Sequence, residues 1–391
     1  MKPRVLVLAE TYLPGYLAGG PVRSLASLVQ ALVDDVEWAI LTRDRDFRAA
    51  QAYEGIASDR WVDVGNAQVY YAGQAAQGAR NWLRVIRQTP HDVLYLNSFF
   101  SPMFSLLPLA ARKAGLIPRR PLVIAPRGEF SPGAIALKAW KKRPALGVFR
   151  ALRLHNDVLW HASTAHEAAD IEREAHAPPT SICVARNLTL PLRALNATAE
   201  TAPKPAGDSL RVVFASRISR MKNLAFALRV LQRSAVPVHF TIIGPIEDAN
   251  YWEECRDQVA RMPAEVTVDL KGAMPPDALA RELPKHDLFF LPTLGENYGH
   301  ALVEAWQAGL PVLTSDQTPW RDLQARGLGW DLALCDEQPF IDAIQTAHHC
   351  GSVERLRRRQ ACSEFGAAIV HDDEAVSANR AMFLRAAGGA K

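Results

Sequence analysis

Cysteine is scarce in this sequence and placed without pattern. The 391 residues hold five (Cys183, Cys255, Cys335, Cys350 and Cys362), an odd number with no pair in CxxC spacing. That argues against a disulfide framework and against a structural zinc site, and it suits a reducing compartment such as the cytoplasm. Also missing is any apolar run long enough to span a bilayer as a helix. The short run at 5–9 stops at Glu10 without a small-residue cleavage site, so it reads as a buried strand and not as a secretory leader. No internal repeat, no low-complexity tract and no GxGxxG dinucleotide fingerprint occurs.

The chain is too long for one ordinary core, so two domains are expected, and 49% hydrophobic against 22% charged residues describes a soluble globular protein. Charge is unevenly shared. Residues 1–190 carry 23 Lys and Arg against 16 Asp and Glu, while the remainder carries 22 against 25. The first half is therefore expected to meet something anionic, and charge alone does not choose among membrane, phosphate and nucleic acid. The bias is strongest at 133–155, where Lys138, Lys141, Lys142, Arg143, Arg150 and Arg153 occur with no acidic residue. Ile135, Leu137, Trp140, Leu146 and Phe149 are interleaved with them. Such a helix can lie on an anionic membrane surface, or it can be an ordinary helix with one solvated charged face.

Strand signals at 5–9, 36–41, 68–72, 92–96, 122–125, 158–160 and 182–184 alternate with helical patterns at 22–33, 81–87, 102–114 and 166–174. Thr164-Ala165-His166-Glu167 has the form of a capping box for the last of these. A tract rich in Ala, Thr, Pro and Lys at 191–209 reads as a linker. A second series follows, with strands at 210–215, 238–243, 266–270, 288–291 and 312–314 and helices near 224–232, 251–260, 276–283 and 300–308. The tail from about 340 is helical and charged. Alternation of this kind implies parallel sheets with crossover helices, hence an α/β fold of two Rossmann-like domains, 1–190 and 210–369. The last helix, about 370–391, is free to pack back on the first domain. Two such halves joined by a linker leave a cleft, a common ligand site.

Candidate chemistry lies in loops that leave the carboxyl ends of strands, where open parallel sheets bind ligands. Gly295-Glu296-Asn297-Tyr298-Gly299-His300-Ala301-Leu302-Val303-Glu304 places two carboxylates eight positions apart, one before a helix and one within it. They are either ligand groups or solvated helix charges. Arg217 and Lys222, five apart, follow the first strand of the second half and open a helix. A guanidinium and an ammonium there suit a diphosphate, since Arg forks onto two oxygens and Lys acts as a point charge. Arg220 is a third cation that can face water. Gly19 and Gly20 precede the first helix, where backbone can approach an anion closely. Arg127 and Glu129 stand in a turn-rich loop after another strand.

In this arrangement the sequence resembles the retaining glycosyltransferases of family 4, which have the GT-B fold. The resemblance rests on Glu296 and Glu304 with Gly299 and Gly309-Leu310-Pro311-Val312, on Arg217 and Lys222, and on the Gly19-Gly20 loop. Lesser echoes are Ser163 to Glu167, Val184-Ala185-Arg186-Asn187 and Ile243-Gly244.

The resemblance implies that Arg217 and Lys222 hold the diphosphate of a nucleotide-sugar donor. It also implies that Glu304 accepts from the ribose hydroxyls and Glu296 from hydroxyls of the donor sugar. Amides of Asn297, Tyr298, Gly299, His300, Ala301 and Leu302 would add donors, Gly272 would approach the base, and Gly19 and Gly20 the phosphates. Arg127 stands where many relatives carry a histidine, and Asn97-Ser98 where another is frequent; a guanidinium cannot act as a base. The leaving phosphate could take the acceptor's proton instead. No metal cofactor and no nucleic-acid partner are expected. The implied acceptor is a glycan or lipid-linked glycan, reached from the cytoplasm at the inner membrane face. An epimerase or hydrolase on the same plan, and a non-catalytic nucleotide-sugar binder, are the competing readings.

Overall fold

The computed structural model describes residues 2–74, 77–137, 139–154, 156–192 and 209–388; the expected linker lies almost wholly outside the described residues, as do Lys138 and His155. The chain divides into two compact units, Met1–Leu188 with Asp372–Lys391, and Thr189–His371.

The first unit contains β1 (Arg4–Leu8), α1 (Gly20–Ala31), β2 (Glu37–Arg43), β3 (Trp61–Val64), β4 (Ala67–Ala72), α2 (Ala79–Gln88), β5 (Val93–Leu96) and α3 (Leu107–Lys113). It continues with β6 (Leu122–Ile124), α4 (Pro132–Ala136), α5 (Ala139–Ala151), β7 (Val158–Ala162), α6 (Ala165–Ala175) and β8 (Ile182–Val184). Its eight strands run in the order β3-β4-β2-β1-β5-β6-β7-β8, parallel except for the β3–β4 hairpin at one edge. The second unit contains β9 (Leu210–Ala215), α7 (Leu224–Gln232), β10 (Val238–Ile243), α8 (Ala249–Val259), β11 (Val266–Gly272) and α9 (Pro276–Glu282). After these come β12 (Leu288–Leu291), α10 (His300–Gln307), β13 (Val312–Ser315), β14 (Gly329–Leu332), α11 (Gln338–His348) and α12 (Ser352–Val370). Its six parallel strands are ordered β11-β10-β9-β12-β13-β14. A last helix, α13 (Asp373–Gly388), belongs to the first unit. The architecture is the two-sheet α/β plan expected from strand–helix alternation.

Why β1 reads as an unbroken apolar run is visible in its two faces. Side chains alternate across a strand, so Val5 and Val7 join one core with Leu25, Leu28 and Val29 of α1. Leu6 and Leu8 join the opposite core with Trp82 and Ile86 of α2. With both faces covered, no polar alternation survives in the sequence. The second unit packs as one large cluster around β9, β10, β12 and α10.

Two features depart from the pattern read in the sequence. Strand β3 pairs antiparallel with β4 across Gly65-Asn66, and its short, half-exposed residues carry no periodic signal. Strand β14 extends the second sheet beside β13 and is equally short. The tail is three helices, of which α13 lies on the first unit's core through Ala375, Met382 and Phe383. Phe383 is fully buried and meets Trp38 edge-to-face at 5.2 Å. Buried Asn379 donates from Nδ2 to the Arg186 carbonyl at 2.9 Å, a polar anchor beside that apolar contact.

The packing of α13 predicts that Phe383→Ala costs the first unit about 3–5 kcal/mol. Hydrogen exchange should accelerate in β1 and β2 while β9 and β12 keep their protection; unchanged exchange in β1 would contradict this role of α13.

Candidate active site at the carboxyl edge of the second sheet

Strands β9 and β12 are parallel neighbours, so the loops that follow them leave the same edge of the sheet. The loop after β9 passes through one turn of 3-10 helix at Arg220–Lys222 before α7. Its Met221 carbonyl takes the Leu294 amide at 2.8 Å and the Thr293 hydroxyl at 3.0 Å, both from the loop after β12. The hydroxyl also lies 3.0 Å from the Gly295 carbonyl, so its one proton is shared. This clamp sets Lys222 against Glu296. Their ion pair, Nζ to Oε1, has both side chains only 12% exposed. The Glu296 amide in turn donates to the Gln317 carbonyl at 3.0 Å, which ties it to the loop after β13.

Arg217 is held from the other side. The Ile218 amide donates to the Pro245 carbonyl at 2.9 Å, and Glu247 and Asp248 amides return to the Ile218 carbonyl at 3.1 and 3.2 Å. That stitching requires Gly244, at φ 147°, because a Cβ there would sit 1.9 Å from the Ser216 carbonyl oxygen. The result is an Arg217–Glu247 ion pair at 2.7 Å. Arg220 takes no part in this edge: it pairs with Glu254 and covers the Tyr251 ring at 5.2 Å, half-exposed.

Helix α10 is capped by Gly299, whose φ of 84° would strain any side chain, and a Cβ there would also press on Leu302 Cδ1 at 3.1 Å. Trp320 Nε1 donates to the Tyr298 carbonyl at 2.6 Å and fixes the loop from above. His300 and Glu304 lie one turn apart on a single face, 9% and 5% exposed. Glu304 is therefore not a solvated surface charge. The Leu302 amide is already committed to the Gly299 carbonyl at 2.9 Å. That bond closes the first turn of the helix. Ala301 packs its methyl on the core, and Tyr298 Oη lies 3.2 Å from Thr189 Oγ1. Gly272, φ 69°, ends β11, and its carbonyl accepts the Gly244 amide at 2.8 Å. Asn297 sits between Glu296 and Tyr298 in the same loop. Among the described residues no group of three or more His, Cys, Asp and Glu could hold a metal ion.

In the first unit Gly19, φ 69°, caps α1 and Gly20 is its first residue. Their approach loop is held by Asp46 Oδ2, which accepts the Tyr16 and Leu17 amides at 2.8 and 3.1 Å. Arg127 adopts a left-handed φ of 56°. Its guanidinium donates to Asn97 Oδ1 and Tyr95 Oη, each at 2.8 Å, and to Asn187 Oδ1. Glu129 turns away from it, accepting the Phe99 and Phe100 amides at 2.6 and 3.1 Å and the Ser98 hydroxyl at 3.1 Å. Burial raises the Glu129 carboxyl above the ordinary range, opposed by those bonds and by Lys142. The capping box at Thr164 is half-formed: its hydroxyl accepts the Glu167 amide at 3.1 Å, but the Glu167 carboxylate serves Ser163 and Gly128.

The basic stretch sorts into two faces. Ile135, Leu146 and Phe149 turn into the core, whereas Leu137, Trp140, Val148 and Leu152 are exposed, Trp140 by 75%. Lys141 Nζ lies 4.6 Å from the Trp140 ring, and Arg143 and Arg153 are exposed nearby in sequence. Among the described residues no helix is long and apolar enough to cross a membrane.

Sequence reasoning missed Glu247, Gln317, Trp320, Tyr95 and His161. Gln317 and Trp320 act through backbone partners, which leave no side-chain motif, and Tyr95 and His161 read only as strand residues. Asn187 was visible within the 184–187 segment but without a partner.

Residues 198–365 match the family described as glycosyl transferases group 1. A curated relative, the amylovoran biosynthesis glycosyltransferase AmsK of Erwinia amylovora, is 29% identical over 131 residues. That alignment spans 31% of this chain and 31% of the relative's length. Among solved structures, HepE of Anabaena in complex with UDP and glucose superposes with a TM-score of 0.70 at 16% identity, covering 98% of this chain and 99% of that one. Sucrose-phosphate synthase from Thermosynechococcus elongatus gives 0.71 at 15% identity, with both chains fully covered. Residues 198–365, most of the second unit and including its Lys222–Glu296 pair, thus resemble the group 1 glycosyl transferases, and the chain as a whole has the GT-B fold.

Proposed function

We propose that this chain moves a sugar from a nucleotide-diphosphate donor to an acceptor hydroxyl with retention of configuration. The observation that carries the reading is the Lys222–Glu296 pair with Arg217 earlier on the Lys222 loop, all at one sheet edge. An incoming diphosphate exchanges the carboxylate partners of Lys222 and Arg217 for phosphate oxygens. Glu296, released from Lys222, then accepts from hydroxyls of the donor sugar, and Glu304 accepts from the ribose.

Breaking the sugar–phosphate bond leaves negative charge on the departing diphosphate and positive character on the ring. Prepositioned cations stabilise that charge without reorganisation, and losing one such donor typically costs roughly 3 kcal/mol. The leaving phosphate itself takes the acceptor's proton, so no protein base is required at Arg127. The role of AmsK in amylovoran biosynthesis supports an acceptor of the polysaccharide kind. The outward stripe of Leu137, Trp140, Val148 and Leu152 beside Lys141 and Arg143 supports a peripheral position on an anionic inner membrane face, with a lipid-linked glycan as acceptor.

Two experiments test this. Arg217→Ala and Lys222→Ala should each weaken binding of the nucleotide-diphosphate sugar by about 10- to 100-fold, while Glu296→Ala lowers turnover about 100-fold at near-constant affinity. Titration calorimetry and nucleotide-release assays read these separately. Unaltered affinity in both cationic variants removes the diphosphate assignment, and free sugar released without acceptor points to a hydrolase. For the membrane, Trp140→Ala combined with Lys141→Ala should reduce cosedimentation with vesicles of phosphatidylglycerol several-fold; equal sedimentation of variant and wild type contradicts surface binding.

A further inference from the structure

The Arg127 network is built differently from the cation pairs of the second unit. All three of its hydrogen bonds go to neutral oxygens, those of Asn97, Asn187 and Tyr95. Among the described residues no carboxylate forms an ion pair with it; Glu129 accepts from the Phe99 and Phe100 amides and the Ser98 hydroxyl, and Glu167 accepts from the Gly128 amide and the Ser163 hydroxyl. A guanidinium carries five N–H groups, so two remain after these three bonds. The group is half-buried, which makes an uncompensated positive charge costly unless an anion completes it.

Its orientation is fixed by a chain of protons with one direction. Tyr95 Oη accepts from Arg127, so its own proton goes to His161 Nδ1 at 2.9 Å. That leaves the other ring nitrogen, Nε2, to donate to the Ala185 carbonyl at 3.0 Å. Tyr95 and His161 are almost wholly buried, and burial, helped by the nearby guanidinium, lowers the imidazole from 6.5 to about 3. The ring stays neutral near pH 7 and the direction of the chain does not reverse. Arg127 also sits in a left-handed backbone conformation, φ 56°, that is unfavourable for a non-glycine residue. Strain of this kind persists where the surroundings over-determine it.

We propose that Arg127 binds an oxyanion, a phosphate or carboxylate borne by the sugar acceptor, and that Tyr95 and His161 are positioning residues that aim its guanidinium. The carrier of the anion rests on the transferase reading; the oxyanion site itself does not. An acidic glycan or a sugar phosphate fits this chemistry, and a neutral acceptor would leave the charge without a partner.

The test uses the full-length protein and follows thermal stabilisation and calorimetric binding of inorganic phosphate, glucuronate and, as a neutral control, glucose. UDP is titrated in parallel. Wild type is expected to respond to phosphate or to glucuronate and not to glucose, the responding anion identifying the acceptor's charged group. The response should survive in the Arg217→Ala/Lys222→Ala double variant, vanish in Arg127→Gln, and weaken about tenfold in Tyr95→Phe, with UDP affinity unchanged in the last two. Should Arg127→Gln fail to fold, Arg127→Lys decides: it keeps the charge, loses the fork, and is expected to weaken anion binding about tenfold. Absence of any anion response in wild type, or a full response in the Arg127 variants, overturns the proposal. Loss of UDP binding in every protein, with the phosphate response intact, would instead count against the nucleotide-sugar reading alone.

Discussion

One backbone oxygen organises the second unit's working edge. The Met221 carbonyl receives both the Leu294 amide and the Thr293 hydroxyl, which fastens the loop after β9 to the loop after β12. Lys222 follows Met221 directly, and Glu296 lies two residues beyond Leu294, so the clamp decides that they meet. Two charges taken largely out of water repay their desolvation only when geometry is well fixed. Here the fixing comes from bonds between the loops that leave a parallel sheet, most of them main-chain, with the Thr293 hydroxyl adding one from a side chain. Gln317 and Trp320 extend the same device from β13, holding the Glu296 amide and the Tyr298 carbonyl.

The two units carry positive charge in two different ways. In the second unit Arg217 and Lys222 each hold a carboxylate, so the cations are pre-oriented and their charge is balanced. Such a site can admit a multiply charged group by exchange of partners, since a diphosphate offers more negative charge than either glutamate. In the first unit Arg127 is oriented by neutral groups, and among the described residues no carboxylate balances its charge. A site of that kind favours a single anion and penalises a neutral substitute. The difference lies in the partners and not in the cations themselves.

How much was legible in the sequence follows from where each signal came from. Buried parallel strands such as β1, β5 and β12 were readable because burial on both faces leaves uninterrupted apolar runs. Arg217, Lys222, Glu296 and Glu304 were readable because they stand just after such strands or in the helix that follows. Strands β3 and β14 were not, because their partial exposure leaves no unbroken apolar run. Nor were the partners. Glu247 reaches Arg217 from a loop 30 residues away, and His161 lies 66 residues from Tyr95, so only the fold brings them together. The sorting of the basic stretch into buried Leu146 and Phe149 and exposed Trp140 and Val148 likewise needed the helix phase.

The central claim is that the edge bearing Lys222 and Glu296 is the seat of a nucleotide-diphosphate sugar. A crystal structure of the protein soaked with such a donor tests it most directly. The account predicts diphosphate oxygens within hydrogen-bond distance of Arg217 and Lys222, with Glu296 turned from Lys222 to a sugar hydroxyl. A nucleotide bound elsewhere, or one bound while the Lys222–Glu296 pair stays closed, would contradict it.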